Sequence, residues 1–215
     1  LAQLRRRAPI GTTRPRADAA VVGEARGGLS FWAGIGADLP RRFHLFSAAS
    51  ALVTAGLMTF GVVSYRLVDV GLVEVAWVPV IYAAAMACAA AAALGAGVLF
   101  DRFGARVLLL APPLVAVVPW LVFDGDLGWV MLGVAAWGAA GGVQDSTVKA
   151  KVAELVPATR RATAYGVFAA VQGLGALLGG VVAGALVESH VTVLAALLTA
   201  SQLVAWLVLA RSVPG

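Results

Sequence analysis

The chain has 215 residues, 61% of them hydrophobic and 13% charged, with a net charge of +5 and a mean hydropathy of +0.92. A soluble domain is about half apolar and about a quarter charged, so this chain has too few polar groups to cover a water-facing surface and reads as a membrane protein. One cysteine, Cys88, and two histidines, His44 and His190, argue against a disulfide framework, a cysteine cluster or a histidine-rich metal site, and no cofactor is implied.

Residues 1–42 hold eight arginines against Asp18, Glu24 and Asp38 and so carry the whole net charge; the rest of the chain is balanced. An Arg-rich segment beside apolar spans reads as a cytoplasmic linker, kept there by the positive-inside bias. It lacks the aromatic and glycine patterning of a nucleic-acid module, so no nucleic-acid partner is expected. It also lacks the uninterrupted apolar core of a cleavable leader. The start at Leu1, followed by this polar stretch, points to a sequence that opens inside a longer protein.

From residue 43 onward six apolar spans follow, at about 43–67, 75–99, 107–123, 127–147, 162–187 and 191–210, with a short tail at 212–215. A helix needs about 17–25 residues to cross ~30 Å of hydrocarbon. Barrel strands would alternate apolar and polar residues, and these runs do not. The expected fold class is therefore all-α: a polytopic membrane protein whose residues 43–211 form a bundle of six transmembrane helices.

Span 1 opens near His44, an interfacial residue, and carries Ser47, Ser50, Thr54 and Thr59. These hydroxyls either line a channel or, by default, bond back to their own helix. Arg66 follows Ser64 and Tyr65 and precedes Asp69 by three residues; it either snorkels to the outer surface or attracts an anionic cargo. Span 3 contains Pro112, Pro113 and Pro119 and is expected to kink. Broken spans mark binding sites in some transporters. No charge falls between Leu108 and Phe123, however, so a bent peripheral helix is the simpler reading.

Span 4 ends with Gln144 and Asp145. Ionisable residues inside spans are costly and tend to be functional. Asp145 lies four residues before Lys149, so it either pairs with that lysine or acts as a proton-coupling or gating carboxylate. Gly138 and Gly142 in span 4, and Gly175 with Gly179 and Gly180 with Gly184 in span 5, have the four-residue spacing that lets another backbone come close. Gln172, the one strongly polar side chain deep in span 5, either bonds a neighbouring helix or lines the pathway.

The connecting loops separate by charge. Arg102 and Arg106 lie between spans 2 and 3, Arg160 and Arg161 between spans 4 and 5 just after Lys149 and Lys151, and Arg211 after span 6. The alternate loops carry Asp69 and Glu74, then Asp124 and Asp126, then Glu188 and His190, with no lysine or arginine. This pattern fits six crossings with both ends in the cytoplasm.

The stretch GVLFDRFGAR, residues 97–106, joins spans 2 and 3. Gly97 permits close helix approach, Gly104 permits a positive φ in the turn, and Asp101 is a carboxylate at the membrane face, where a helix N-terminus would supply partial positive charge. Gly97, Asp101, Arg102, Gly104 and Arg106 resemble the G-x-x-x-D-R-x-G-[RK]-[RK] signature of the major facilitator superfamily of secondary transporters, with Ala105 departing from the basic residue usual there. The weakened signature, the upstream Arg-rich linker and LVPATRRATAYGVF at 155–168 make residues 43–211 resemble the C-terminal six-helix half of such a transporter.

The resemblance implies two six-helix bundles that rock about a central site and move a small solute by alternating access across the cell inner membrane. Efflux is one common task of the family. It also implies that Asp101 helps latch the cytoplasmic face against a helix end of the N-terminal half; the residues alone leave a simple membrane-face anchor open. The partners implied are the lipid bilayer, that N-terminal half, in the same longer chain or separate, and the solute. An intramembrane enzyme is not expected, because neither a G-x-S-x-G nucleophile nor H-E-x-x-H occurs. The alternative is a truncated or non-transporting membrane subunit that acts by pairing with another membrane protein.

Overall fold

A computed structural model describes residue 36, residues 38–123 and residues 125–212. The Arg-rich segment 1–35, Ala37, Asp124 and residues 213–215 lie outside the described residues. The main folded unit is Asp38–Gly215.

All regular structure among the described residues is helical. In chain order it comprises α1 (Arg41–Gly56), α2 (Phe60–Asp69), a 3₁₀ turn at Val75–Trp77, α3 (Val78–Phe103), a 3₁₀ segment at Gly104–Leu110, α4 (Ala111–Val122), α5 (Leu127–Leu155), a 3₁₀ turn at Ala158–Arg160, α6 (Arg161–Leu186) and α7 (Val191–Ser212). The sequence supplies the punctuation. Pro79 sits in the first turn of α3, where its missing N–H costs nothing. Asp126 caps α5, its Oδ1 accepting from the backbone N–H of Gly128 at 2.8 Å and of Trp129 at 3.4 Å. Ser212 still belongs to α7, so the last helix runs past 210. The fourth is longer than expected too, reaching Leu155.

Five helical runs are long and apolar enough to cross a membrane: Arg41–Asp69, Val75–Val122, Leu127–Leu155, Ala158–Leu186 and Val191–Ser212. The six separate spans expected from hydropathy thus appear as five runs, because the link between the second and third is itself helical. Gly104 ends α3 at φ 62° and ψ −151°, a conformation that favours glycine, and the seven residues Gly104–Leu110 continue as 3₁₀ helix. Pro112 and Pro113 fall in the first turn of α4, and Pro119 alone stands inside that helix. The 3₁₀ segment is a further irregularity of this span, before the prolines.

The first run departs from expectation in the opposite sense: it is interrupted. α1 stops at Gly56 and α2 begins at Phe60, with Thr59 extended between them. Carbonyls in and before the break find side-chain donors on other helices. The Trp137 indole N–H donates to Met58 O at 2.8 Å and the Gln202 amide donates to Leu52 O at 3.0 Å. Without such partners, buried carbonyls would each cost about 1–3 kcal/mol.

Helices α3 and α4 both pack on α5, while α1 packs on α6 and α7, and α4 on α7 closes the bundle. Two glycine pairs set close backbone-to-backbone approaches. A Cβ on Gly138 or Gly142 would strike the carbonyls of Ala85 or Ala89 in α3, and one on Gly179 would strike that of Ala55 in α1; one on Gly175 would lie 2.5 Å from Ala51 O. The pair Gly180 and Gly184 behaves differently: among the described residues nothing lies within 4 Å of a Cβ at either position, so the close contact expected there is not made by them.

The buried apolar residues divide into two clusters. One gathers Phe43, Phe46, Ala96, Leu108, Val152, Phe168 and Leu209. The other gathers Met58, Leu67, Ile81, Val122, Val130, Val187 and Leu194. Arg102, Arg106, Arg160 and Arg211 fall beside residues of the first cluster in the chain; Asp69, Glu74, Asp126 and Glu188 fall beside residues of the second.

Candidate functional site

Polar side chains from three helices, α1, α5 and α6, gather at one place in the bundle. On α5, Trp137, Gly141, Gln144 and Asp145 recur at helical spacing and so share one face. That face, with Thr54 and Leu57 of α1, Tyr82 and Met86 of α3 and Gln172 of α6, lines a cavity of about 330 Å³. A second cavity of about 280 Å³ shares Gln144, Asp145 and Gln172 and adds Lys149, Tyr165 and Phe168.

Gln144 is buried. Its Nε2 donates to Thr54 Oγ1 at 2.7 Å and to Ser50 O at 3.3 Å, which ties α5 to α1. Thr54 in turn donates to Ser50 O at 3.0 Å, the expected bond back to its own helix. Asp145 is exposed on the cavity face. The ion pair with Lys149 offered by the spacing is not among those formed by the described residues; instead Lys151 pairs with Glu154 at 3.1 Å and Arg160 with Asp38 at 2.6 Å. Gln172, half-buried, faces the same two cavities.

Arg66 stands apart from this group. It lies at the other end of the first run and reaches Asp69 at 3.8 Å. Beside it the Tyr65 hydroxyl donates to Glu188 Oε1 at 3.0 Å, joining α2 to the α6–α7 turn. A shallow groove of about 530 Å³ between α2 and the start of α3 is lined by Ser64, Tyr65 and Asp69 among apolar residues. It lacks the buried amide that marks the central cavity.

In the 97–106 stretch, Asp101, Arg102 and Arg106 are all exposed, and none belongs to an ion pair of the described residues. Nothing lies within 4 Å of a Cβ on Gly97. Of the predicted residues, then, Gln144, Asp145 and Gln172 come together, while Arg66 and the 97–106 group lie elsewhere.

Sequence reasoning missed Tyr82, Met86 and Trp137 as cavity residues. For Trp137 a signal exists, because it precedes Gly141 by four residues and Gln144 by seven. For Tyr82 and Met86, in an apolar helix with no polar stripe, none does.

The profile of the Major Facilitator Superfamily matches residues 44–214, most of the chain. The chain belongs to the major facilitator superfamily. It is accordingly a multi-pass membrane protein. An uncharacterized protein of Mycobacterium bovis and those of two strains of Mycobacterium tuberculosis are each 40% identical over 113 residues. Each match covers 53% of this chain and 28% of the relative, so it spans just over a quarter of the length of the curated relatives. No solved structure matches. The superfamily assignment gives the two cavities that share Gln144, Asp145 and Gln172 their context.

Proposed function

We propose that this facilitator chain forms one six-crossing half of a secondary active transporter, and that the central cavity is its share of a solute pathway. The observation that carries this reading is the convergence of Gln144, Asp145 and Gln172 from two helices on a cavity that Tyr82 and Met86 of a third complete, within an otherwise apolar bundle.

Six crossings are supported by the two apolar clusters. The chain passes from one cluster to the other within Phe43–Leu67, Ile81–Ala96, Ala105–Val122, Val130–Val156, Ala164–Val187 and Leu194–Leu209, reversing each time. The described arginine-bearing loops lie at one end and the acidic ones at the other. The positive-inside bias then puts the former, and both termini, on the cytoplasmic side of a bacterial-type plasma membrane.

A second six-helix half is the partner. The faces of α3 and α6 flanking the cavity are the least covered. Only 11% of the most apolar stretch of Val75–Val122 and 22% of that of Ala158–Leu186 are buried, against 50% for Arg41–Asp69. Gly180 and Gly184, open on α6, suit close approach by such a partner. In this arrangement Asp101 meets a helix end of the other half and latches the cytoplasmic face, and rocking of the halves exposes the cavity to each side in turn.

Uptake by vesicles tests the function. Right-side-out and inside-out vesicles carrying the protein with its partner half, fused or separate, are offered a chemically diverse solute panel under an imposed proton or sodium gradient. Gradient-driven accumulation of one solute class in one orientation is the expected result, and it also gives the direction. Thiol labelling of a cysteine introduced at Phe103 checks the topology: the reading requires labelling from the cytoplasmic side only.

A further inference from the structure

We infer that the central cavity selects a monovalent organic cation with an apolar body, an inference that rests on the transporter reading above. The cavity wall offers one carboxylate, two amides and a set of rings, and the Gln172 amide, with both donor and acceptor, favours neither charge. Asp145 is the one carboxylate lining it. Gln144 contributes an acceptor. Ser50 O can only accept, so the nitrogen of the Gln144 amide must face it, and that nitrogen is spent on α1 through Ser50 O and Thr54. The polar atom left to the cavity is the carboxamide oxygen. Trp137 likewise commits its N–H to Met58 O and presents only its ring.

The apolar end is built from rings. Phe60 packs behind both Tyr82, at a centroid distance of 4.9 Å, and Trp137, at 5.6 Å, which sets the orientation of each. Met86 completes this end. Trp137 and Asp145 are eight residues apart on α5, about 12 Å along the axis. A ligand with a charged donor head at Asp145 and an aromatic or alkyl body against Tyr82 and Trp137 spans that distance. Anionic carboxylate, amide oxygen and ring faces all attract positive charge. The nearby cation, Lys149, lines only the neighbouring cavity, one turn beyond Asp145 and away from Tyr82 and Trp137. An anion would have to sit there, beside Lys149, Tyr165 and Phe168, and outside the central cavity.

The test uses three ligands of matched size and different charge: 4-phenylbutylammonium, 4-phenylbutanol and 4-phenylbutyrate. Their binding to the purified protein with its partner half is measured in mild detergent by equilibrium dialysis. The cation is expected to bind at least about tenfold more tightly than the alcohol and more tightly still than the anion. Asp145→Asn should bring the cation down to the affinity of the alcohol, whereas Asp145→Glu, which keeps the charge, should retain the preference and so exclude a folding defect. Tyr82→Leu should weaken cation and alcohol by similar factors.

Equal binding of cation and alcohol, preference for the anion, no binding of any of the three, or an unchanged preference in Asp145→Asn each overturns the inference. Gradient-driven accumulation of a neutral or anionic solute in the vesicle assay would overturn it while leaving the transporter reading intact. Accumulation of no solute in either vesicle orientation would instead sink the transporter reading.

Discussion

Helix α6 carries two glycine pairs of identical spacing on neighbouring faces, and they have opposite fates. Gly175 and Gly179 lie directly on the backbone of α1, where a Cβ would meet the carbonyls of Ala51 and Ala55. Gly180 and Gly184 meet nothing within 4 Å. Four-residue spacing makes a smooth face in both cases, but only the first face is used within this bundle. The same contrast runs through the molecule. Gly138 and Gly142 are seated on α3, whereas Gly97, on α3 itself, has no near neighbour and Asp101 no ion partner among the described residues. Small residues facing inward hold this bundle together, and those facing outward are available to a partner.

The sharpest way to break the comparison is Gly179→Leu. Its side chain has to displace main-chain atoms of α1, an overpacking that costs about 1–3 kcal/mol or more. Folded, monodisperse protein recovered in mild detergent should fall severalfold. Normal recovery would mean that α1 and α6 are not in this contact.

Asp101→Asn should do the reverse. Stability and membrane insertion should be unchanged, because the carboxylate has no ion partner among the described residues, while transport drops by about tenfold through loss of a charge-assisted contact to the other half. An unaltered transport rate would leave Asp101 as a membrane-face anchor. Gly180→Leu sharpens the same point with a smaller effect. The melting temperature of this bundle should stay near that of the parent, since surface changes usually shift stability by less than about 0.5 kcal/mol, but transport should fall a few-fold if the face receives a second half. Equal transport would place that face against lipid.

Two milder substitutions probe the polar ties. Gln144→Leu removes the bonds to Thr54 and Ser50 O and should cost about 0.6–1.7 kcal/mol, the range for hydrogen bonds between membrane helices, visible as a lowered melting temperature in detergent. Tyr65→Phe removes only the exposed bond to Glu188; it should shift stability least, by under about 1 kcal/mol. A larger fall from Tyr65→Phe than from Gln144→Leu would invert the view that the centre, and not the acidic end, is the better-anchored region.

Hydropathy and loop charge were enough to read the helical class, the approximate position of the apolar stretches and the alternation of basic and acidic turns. These follow from composition, because a helix in hydrocarbon satisfies its own backbone and needs only apolar length. The grouping of Gln144 and Asp145 was equally legible, since neighbours in one helix share a face regardless of what surrounds them. Asp145 and Lys149 show the limit: their spacing permits an ion pair, and the fold leaves the pair unmade.

The chain alone thus determined which segments are helical and which residues are small, polar or charged along them. Only the tertiary structure decided that α1 breaks before Phe60, where Trp137 and Gln202 supply donors to carbonyls in and before the break. It also decided that Tyr82 and Met86 join Gln144 and Gln172 across three helices, and that one glycine pair of α6 is covered while the other is open among the described residues. The physical reason is that packing in a membrane draws on contacts between distant segments. A stripe of small or aromatic residues states what a face can accept, and the arrangement of the other helices selects what it meets.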